Sequence, residues 1–420
     1  MGDLAATALA ERYGTPLLVV DFETVNAAVD ALVACAARWD VEVSYAAKAF
    51  ATVEFLRHLA RFPIGIDVCS LGELITAERA GFAPERITLH GAGKPLAELT
   101  AAATGRIGRI AVDGIEEMER LAAVTSDGRT VDVMLRLNVG VEARTHAYVR
   151  TGGHDTKFGL HPRDEGAAAA LLQANPQLRF VGLHAHIGSQ IYSEASYVEA
   201  ALALVDAAAR FATAGLRTHR IVIGGGFGVP SDPDSGEGAL DVAATVAAVA
   251  KSVGSAARDR GLPAPRLGIE PGRSIIATAG TTLYRVLAVK RQSYRTFVVV
   301  DGGIAENPRP ALYGARYRVI GAAPLTGDPM EVTLCGRSCE NDELATVNLP
   351  SGVAPGALLA MCGTGAYTYS MAGNYNRFPR PAVVGVEQGA HRLLARRETI
   401  EDVLRTDAVA DASGSAAPAL

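Results

Sequence analysis

The chain has 420 residues, 49% of them hydrophobic and 20% charged, with a net charge of −5. This is the composition of a soluble globular protein with room for one large domain and a smaller one. Lys and Arg are scattered, against a nucleic-acid or anionic-membrane partner, and no apolar run is long enough to span a bilayer.

The N-terminus, "MGDLAATALAERYG", has no positive region followed by an apolar core, so no signal peptide is expected. The five cysteines, Cys35, Cys69, Cys335, Cys339 and Cys362, are odd in number and lack tight pair spacing. They argue against a disulfide framework or a metal site and fit a reducing cytoplasm.

Eight apolar, strand-like runs follow one another, at 42–47, 64–68, 86–90, 109–113, 131–138, 180–186, 220–225 and 266–270. Between them, stretches such as "LGELITAERAG" (71–81) and "IEEMERLAAV" (115–124) repeat apolar residues at i, i+3, i+4 and predict helices. Eight β/α units over about 250 residues predict an α/β fold, a (β/α)8 TIM-like barrel. A doubly wound sheet is the alternative. Beyond about residue 280, short runs such as "TFVVVD" (296–301), "MEVTLCG" (330–336) and "AVVGVE" (382–387) alternate with Gly, Pro and Asp turns and predict a mostly-β domain, sandwich or barrel. Residues 409–420 are expected to be disordered.

Chemistry in such a barrel gathers where its strands end. The ends read Lys48, Asp67, His90, Asp113, Asn138, His186, the glycines at 224–226, and Glu270. Singly, each has a bland explanation: a solvated lysine, an aspartate capping a helix, a structural histidine. Together on one face they are a constellation. "IGGGFG" (223–228) lets backbone N–H groups turn toward a ligand. "EPGRS" (270–274) adds a cation after the next strand, and these two loops are the usual phosphate grip of a barrel. A lysine opposite a phosphate grip, with a histidine and a carboxylate, fits pyridoxal 5'-phosphate. Lys48 would carry its aldehyde as a Schiff base, Glu270 would pair with its pyridine nitrogen, and His186 would stack on its ring. A carboxylate on that nitrogen suits decarboxylation.

The ordered set "YAAKAF", "DVCSLGEL", "KFGL", "GLHAHIGSQI", "GGGFG", "EPGR", "RPALY", "CEN" and "GAYTYSMAGNYN" resembles the fold-type III pyridoxal-phosphate-dependent decarboxylases, and among them the diaminopimelate decarboxylases, over nearly the whole chain. The resemblance implies a barrel at 25–278 and a β-barrel domain from 279–408 that also takes in 1–24. It implies a cytoplasmic homodimer with shared active sites, acting on a small amino acid. Decarboxylation of meso-2,6-diaminopimelate to L-lysine and CO2 is the expected reaction.

By the same resemblance Lys48, Asp67, Arg136, His186, Ser189, Gly225, Gly226, Glu270, Gly272, Arg273 and Tyr367 contact the cofactor. Arg273, Arg309, Tyr313, Glu340 and Tyr367 contact substrate, and Cys339 is the proton donor offered by the second subunit, a role that a thiol can fill near neutral pH. Arginine with tyrosine suits a distal carboxylate, and Glu340 suits a distal ammonium.

Two stretches depart from the family. "CENDEL" (339–344) has Asn341 where serine is usual and is shortened, and "HGAGKP" (90–95) lacks two asparagines. They keep open a paralogue acting on another amino acid, free or carrier-tethered. An amino-acid racemase on the same barrel and a non-catalytic partner-binding relative are further alternatives. Glu270 speaks against the first, and the retained Lys48 and Cys339 against the second.

Overall fold

The computed structural model describes residues 5–126, 128–141, 156–230 and 238–408; the tail expected at 409–420 lies outside them. The chain divides into two compact units. One comprises Phe22–Ala279 with Gly365–Ser370, the other Met1–Asp21, Gly280–Thr364 and Met371–Leu420.

The first unit is a closed barrel. Its strands are Val41–Ala46, Gly65–Val68, Ile87–Leu89, Arg109–Val112, Val131–Arg136, Leu178–His184, Arg220–Val222 and Arg266–Ile269. Each pairs in parallel with the next, and the eighth returns to the first through Val41↔Leu267 and Val43↔Ile269. That closure rules out the doubly wound alternative. The strands read as continuous apolar runs because parallel strands are covered on both faces; Ile66, Val68, Ile110, Val112, Val133 and Leu135 are wholly buried. Most end one to three residues earlier than the apolar runs suggest. The chain leaves the ladder just before most of the polar residues, Asp67 being still within its strand, and Lys48 sits in a single 3-10 turn, Ala47–Ala49, beyond its strand.

Helix starts show why two acids are left for other work. Leu71–Ala80 is capped by Ser70, whose hydroxyl accepts the Glu73 N–H at 3.2 Å. Ile115–Val124 begins at Gly114 with no side-chain cap. Asp67 and Asp113 therefore cap neither helix.

The second unit is built on one nine-stranded, branched sheet. Leu17–Asp21 lies inside it, antiparallel to Gly280–Arg291 and parallel to Ala382–Glu387. Its larger core cluster includes Tyr284, Val298, Leu334 and Met361. Glu343–Pro350, a strand that apolar runs do not reveal, pairs with Pro329–Cys335; its exposed Thr346 and Asn348 dilute the apolar signal. A five-residue helix, Arg309–Tyr313, ends at Gly314 in the left-handed region (φ 61°). No helix among the described residues is long and apolar enough to cross a membrane.

Candidate active site

The C-terminal ends of the barrel strands bring the expected cofactor residues together. Lys48 reaches solvent at the mouth. The protein crowded around this open mouth still removes part of its hydration, which works to lower its pKa, but Tyr367, Cys69 and Glu270 outweigh this and raise it, favouring the ammonium form. Tyr367 comes from far along the chain: its N–H donates to the Ala49 carbonyl at 2.8 Å, with its own backbone at φ 59°. The Arg273 guanidinium lies 4.8 Å over the Tyr367 ring and donates to Ser189 Oγ at 3.3 Å.

His186 Nδ1 accepts the Gly225 N–H at 3.3 Å. Burial and the nearby cations Lys48 and Arg136 push its pKa well down, so the ring is neutral. A neutral, flat imidazole is suited to stacking on a heterocycle. Arg136 stands 3.6 Å from Asp113 and 4.5 Å over the Phe158 ring.

Glu270 is the most heavily engaged acid. His184 Nε2 lies 3.0 Å from Glu270 Oε2. His90 Nε2 is within ion-pair range of both Glu270 Oε1 (3.3 Å) and Asp67 Oδ1 (3.5 Å). Burial alone would raise the Glu270 pKa; the two histidines reverse this and hold it well below the usual range. Asp67, buried beside Glu270, is raised to about 7, while His90, between the two carboxyls, is raised to about 9. Burial pushes His184 down to about 4.

The residues fit pyridoxal phosphate. A primary amine, an ionised carboxylate and a neutral imidazole share one mouth, with a glycine turn after the seventh strand, a guanidinium and a hydroxyl after the eighth, and the Ser189 hydroxyl after the sixth. The buried hydroxyl of Ser274, next to Arg273, has no hydrogen-bond partner among the described residues, as befits a donor set meant for an anion.

The remaining predicted residues belong to the sheet unit. Arg309 is buried and donates from Nε to Tyr317 Oη at 3.0 Å, with Cζ 5.4 Å over the Tyr313 ring. Cys339 is exposed, and its N–H donates to Asn376 Oδ1 at 3.2 Å. The Glu340 carboxylate accepts the Tyr375 hydroxyl. Ile304, Pro310, Ala311, Glu340, Asn341 and Tyr375 line a cleft of about 650 Å³.

The loop at 339–344 is anchored. Asp342 is only 7% exposed; its Oδ1 accepts the Ile304 N–H at 2.6 Å, and its carbonyl accepts the Gly336 N–H at 2.9 Å. Asn341, by contrast, stays exposed.

Four residues in these clusters are additions to the sequence reading: His184, Tyr317, Tyr375 and Asn376. His184 had a legible signal. It stands two residues before His186, and alternate residues of a strand share a face.

This barrel, with a lysine and a phosphate grip at its mouth, defines a pyridoxal-phosphate enzyme. The model of the pyridoxal-dependent decarboxylase family, pyridoxal binding domain, matches residues 23–277. The chain belongs to that family. It is 45% identical to the diaminopimelate decarboxylase of Actinosynnema pretiosum subsp. auranticum, over 97% of this chain and 92% of that one. It is 39% identical to that of Bacillus subtilis, over 97% and 94%. Among solved structures, diaminopimelate decarboxylase from M. jannaschii superimposes with a TM-score of 0.89 at 30% identity, covering 96% of this chain and 94% of that chain. The Helicobacter pylori enzyme complexed with L-lysine gives 0.86 at 28%, covering 95% and 98%.

Proposed function

We propose that this protein releases CO2 from meso-2,6-diaminopimelate to form L-lysine, as a pyridoxal-phosphate-dependent carboxy-lyase. The observation that carries this reading is the ionised Glu270 in the same barrel mouth as Lys48 and a neutral His186. The similarity to diaminopimelate decarboxylases over nearly the full chain supports the substrate.

When bound, the cofactor supplies an electron sink for the charge left as CO2 departs. Lys48 Nζ would hold the cofactor through its amine. Glu270 would pair with the pyridine nitrogen, and His186 would stack on the ring. Ser189, Gly225, Gly226, Gly272, Arg273 and Tyr367 would hold the phosphate, with Asp67 and Arg136 in supporting positions. Arg309 and Tyr313 bind the distal carboxylate and Glu340 the distal ammonium, and Cys339 Sγ delivers the proton to the α-carbon. Cys339 and Glu340 are exposed on the sheet unit, which supports a second copy of the chain receiving them in a homodimer. Five free thiols support a cytoplasmic location.

The test is CO2 release by cofactor-loaded protein from meso-diaminopimelate, with the LL isomer, ornithine, lysine and arginine alongside. Stereoselective release from the meso compound with lysine formed is the expected result. No release, with the visible spectrum of bound cofactor intact, would overturn the substrate. The second reading, a decarboxylase for a different amino acid, rests on the shortened Cys339–Leu344 loop with exposed Asn341 beside the cleft, and it would then stand.

A further inference from the structure

We propose that His184 and His90 are positioning residues that hold the two carboxylate oxygens of Glu270, one each, and keep that carboxylate ionised and fixed in rotation for its partner in the cofactor. The inference rests on the reading of Glu270 as the pyridine partner and adds the device that orients it.

His184 is 1% exposed, and its Nδ1 is buried without a hydrogen-bond partner among the described residues. A buried N–H with no acceptor is costly, whereas a bare ring nitrogen costs less. The proton therefore sits on Nε2, which faces Glu270 Oε2 at 3.0 Å, and neutral His184 donates to the carboxylate.

His90 supplies the other half. Its Nε2 lies between Glu270 Oε1 and Asp67 Oδ1, in ion-pair range of both but closing no hydrogen bond with a described residue, so it acts by charge, and the two imidazoles stand 4.9 Å apart with their planes at 58°. One cation between two carboxyls favours the ionised form of whichever is more strongly supported. That is Glu270, which also has the His184 hydrogen bond, while Asp67 Oδ2 is buried without a hydrogen-bond partner among the described residues. Asp67 thus takes the proton more readily, and Glu270 stays charged. The other charged or titratable groups facing this cluster include Lys48, Arg136, His186, Cys69, Arg109 and Glu73.

The geometry also explains the choice of elements. His184 ends the sixth strand, His90 follows the third and Asp67 lies in the second. Glu270 follows the eighth, and its N–H donates to the Gly224 carbonyl at 2.8 Å. A carboxylate held from separate strands cannot turn about its terminal bonds without breaking contacts, which is the pre-organisation that orienting partners supply.

The experiment compares His184→Leu, His184→Gln, His90→Leu and Glu270→Gln in the cofactor-loaded enzyme, with thermal unfolding as a folding check. Glutamine can place an N–H where His184 Nε2 stands. His184→Leu and His90→Leu should each lower kcat about 10–100-fold with KM little changed. They should also weaken cofactor retention and shift the pH at which the visible band changes, and His184→Gln should restore most of the loss. Folded leucine variants with wild-type kcat, band and retention, beside an impaired Glu270→Gln, would overturn the proposal alone. A wild-type Glu270→Gln would instead overturn the reading of Glu270 on which it rests.

If the leucine variants do not fold, imidazole nitrogen NMR of the unmutated holoenzyme decides. His184 should carry its proton on Nε2 across neutral pH, and His90 should carry two protons. A proton on His184 Nδ1 with Nε2 bare would overturn the assignment.

Discussion

Gly225 and Glu270 meet backbone to backbone. A Cβ built on Gly225 would lie 2.0 Å from the Glu270 carbonyl oxygen, far inside any tolerated contact. The glycine of the seventh loop is there to let the eighth loop pass, and this close approach carries the Glu270 side chain into the mouth beside the phosphate grip. Gly225→Ala should displace both loops. We expect a loss of stability of about 3 kcal/mol by overpacking, with cofactor retention reduced. Thermal unfolding and dialysis of the loaded protein measure the two effects. An alanine variant as stable and as cofactor-retentive as wild type would show that the loops can separate without consequence.

Lys48 is the proposed covalent anchor. Lys48→Ala should reduce kcat by about 10⁴-fold. Borohydride treatment should no longer fix the cofactor to the protein, as mass spectrometry would read out. Fixation at an unchanged level would move the anchor to another amine.

Cys339→Ala should lower kcat about 100-fold, the range of a lost general acid, with KM nearly constant. Mixing this variant with Lys48→Ala under conditions of subunit exchange should restore about a quarter of wild-type activity, because half of the sites in the mixed dimers recover both groups. Exchange without recovery would place lysine and cysteine in service of the same subunit.

Glu306 offers a pH test in the sheet unit. It is 8% exposed, its Oε1 accepts the Gly303 N–H at 2.6 Å, and burial raises its pKa to about 7. The folded state binds this proton more tightly than the unfolded chain does. Its contribution is therefore fully present below the ordinary pKa near 4.5 and is lost as pH rises toward 7. Glu306→Gln removes that dependence and should be more stable than wild type at pH 8, by on the order of 1–3 kcal/mol. Parallel melting curves from pH 4.5 to 8 for both proteins would settle it, and parallel pH dependences would refute the assignment.

Asp342 holds the Cys339–Leu344 loop by accepting the Ile304 N–H. Asp342→Ala leaves that donor without its carboxylate and should cost about 1–3 kcal/mol. Activity should fall more than stability alone explains, because Cys339 and Glu340 ride on the same loop. Limited proteolysis of the loop, compared with kcat, distinguishes local loosening from global destabilisation.

By itself the sequence determined the barrel's eight strands and the polar residues at their ends. Parallel strands are buried on both faces, so each reads as an apolar run, and its end is where Lys48, Asp67, His186 and Glu270 break that run. Their chemistry, an amine, an imidazole and a carboxylate opposite a glycine-rich grip, was enough to name the cofactor.

Closure was decided only in three dimensions, since pairing Val41 with Leu267 leaves no local mark on either segment. The same holds for Tyr367 beside the Lys48 turn, where the Ser370 hydroxyl also reaches Ala49 across 321 residues of chain. Asp342 reads as one more loop acid until it is seen buried against Ile304. The spacing of His184 from His186 and the place of His90 at a strand end are legible in the sequence, but only the closed barrel brings the two histidines to one carboxylate. Periodicity records what a residue's own element requires; a hydrogen bond between elements exists only once both have been packed into place.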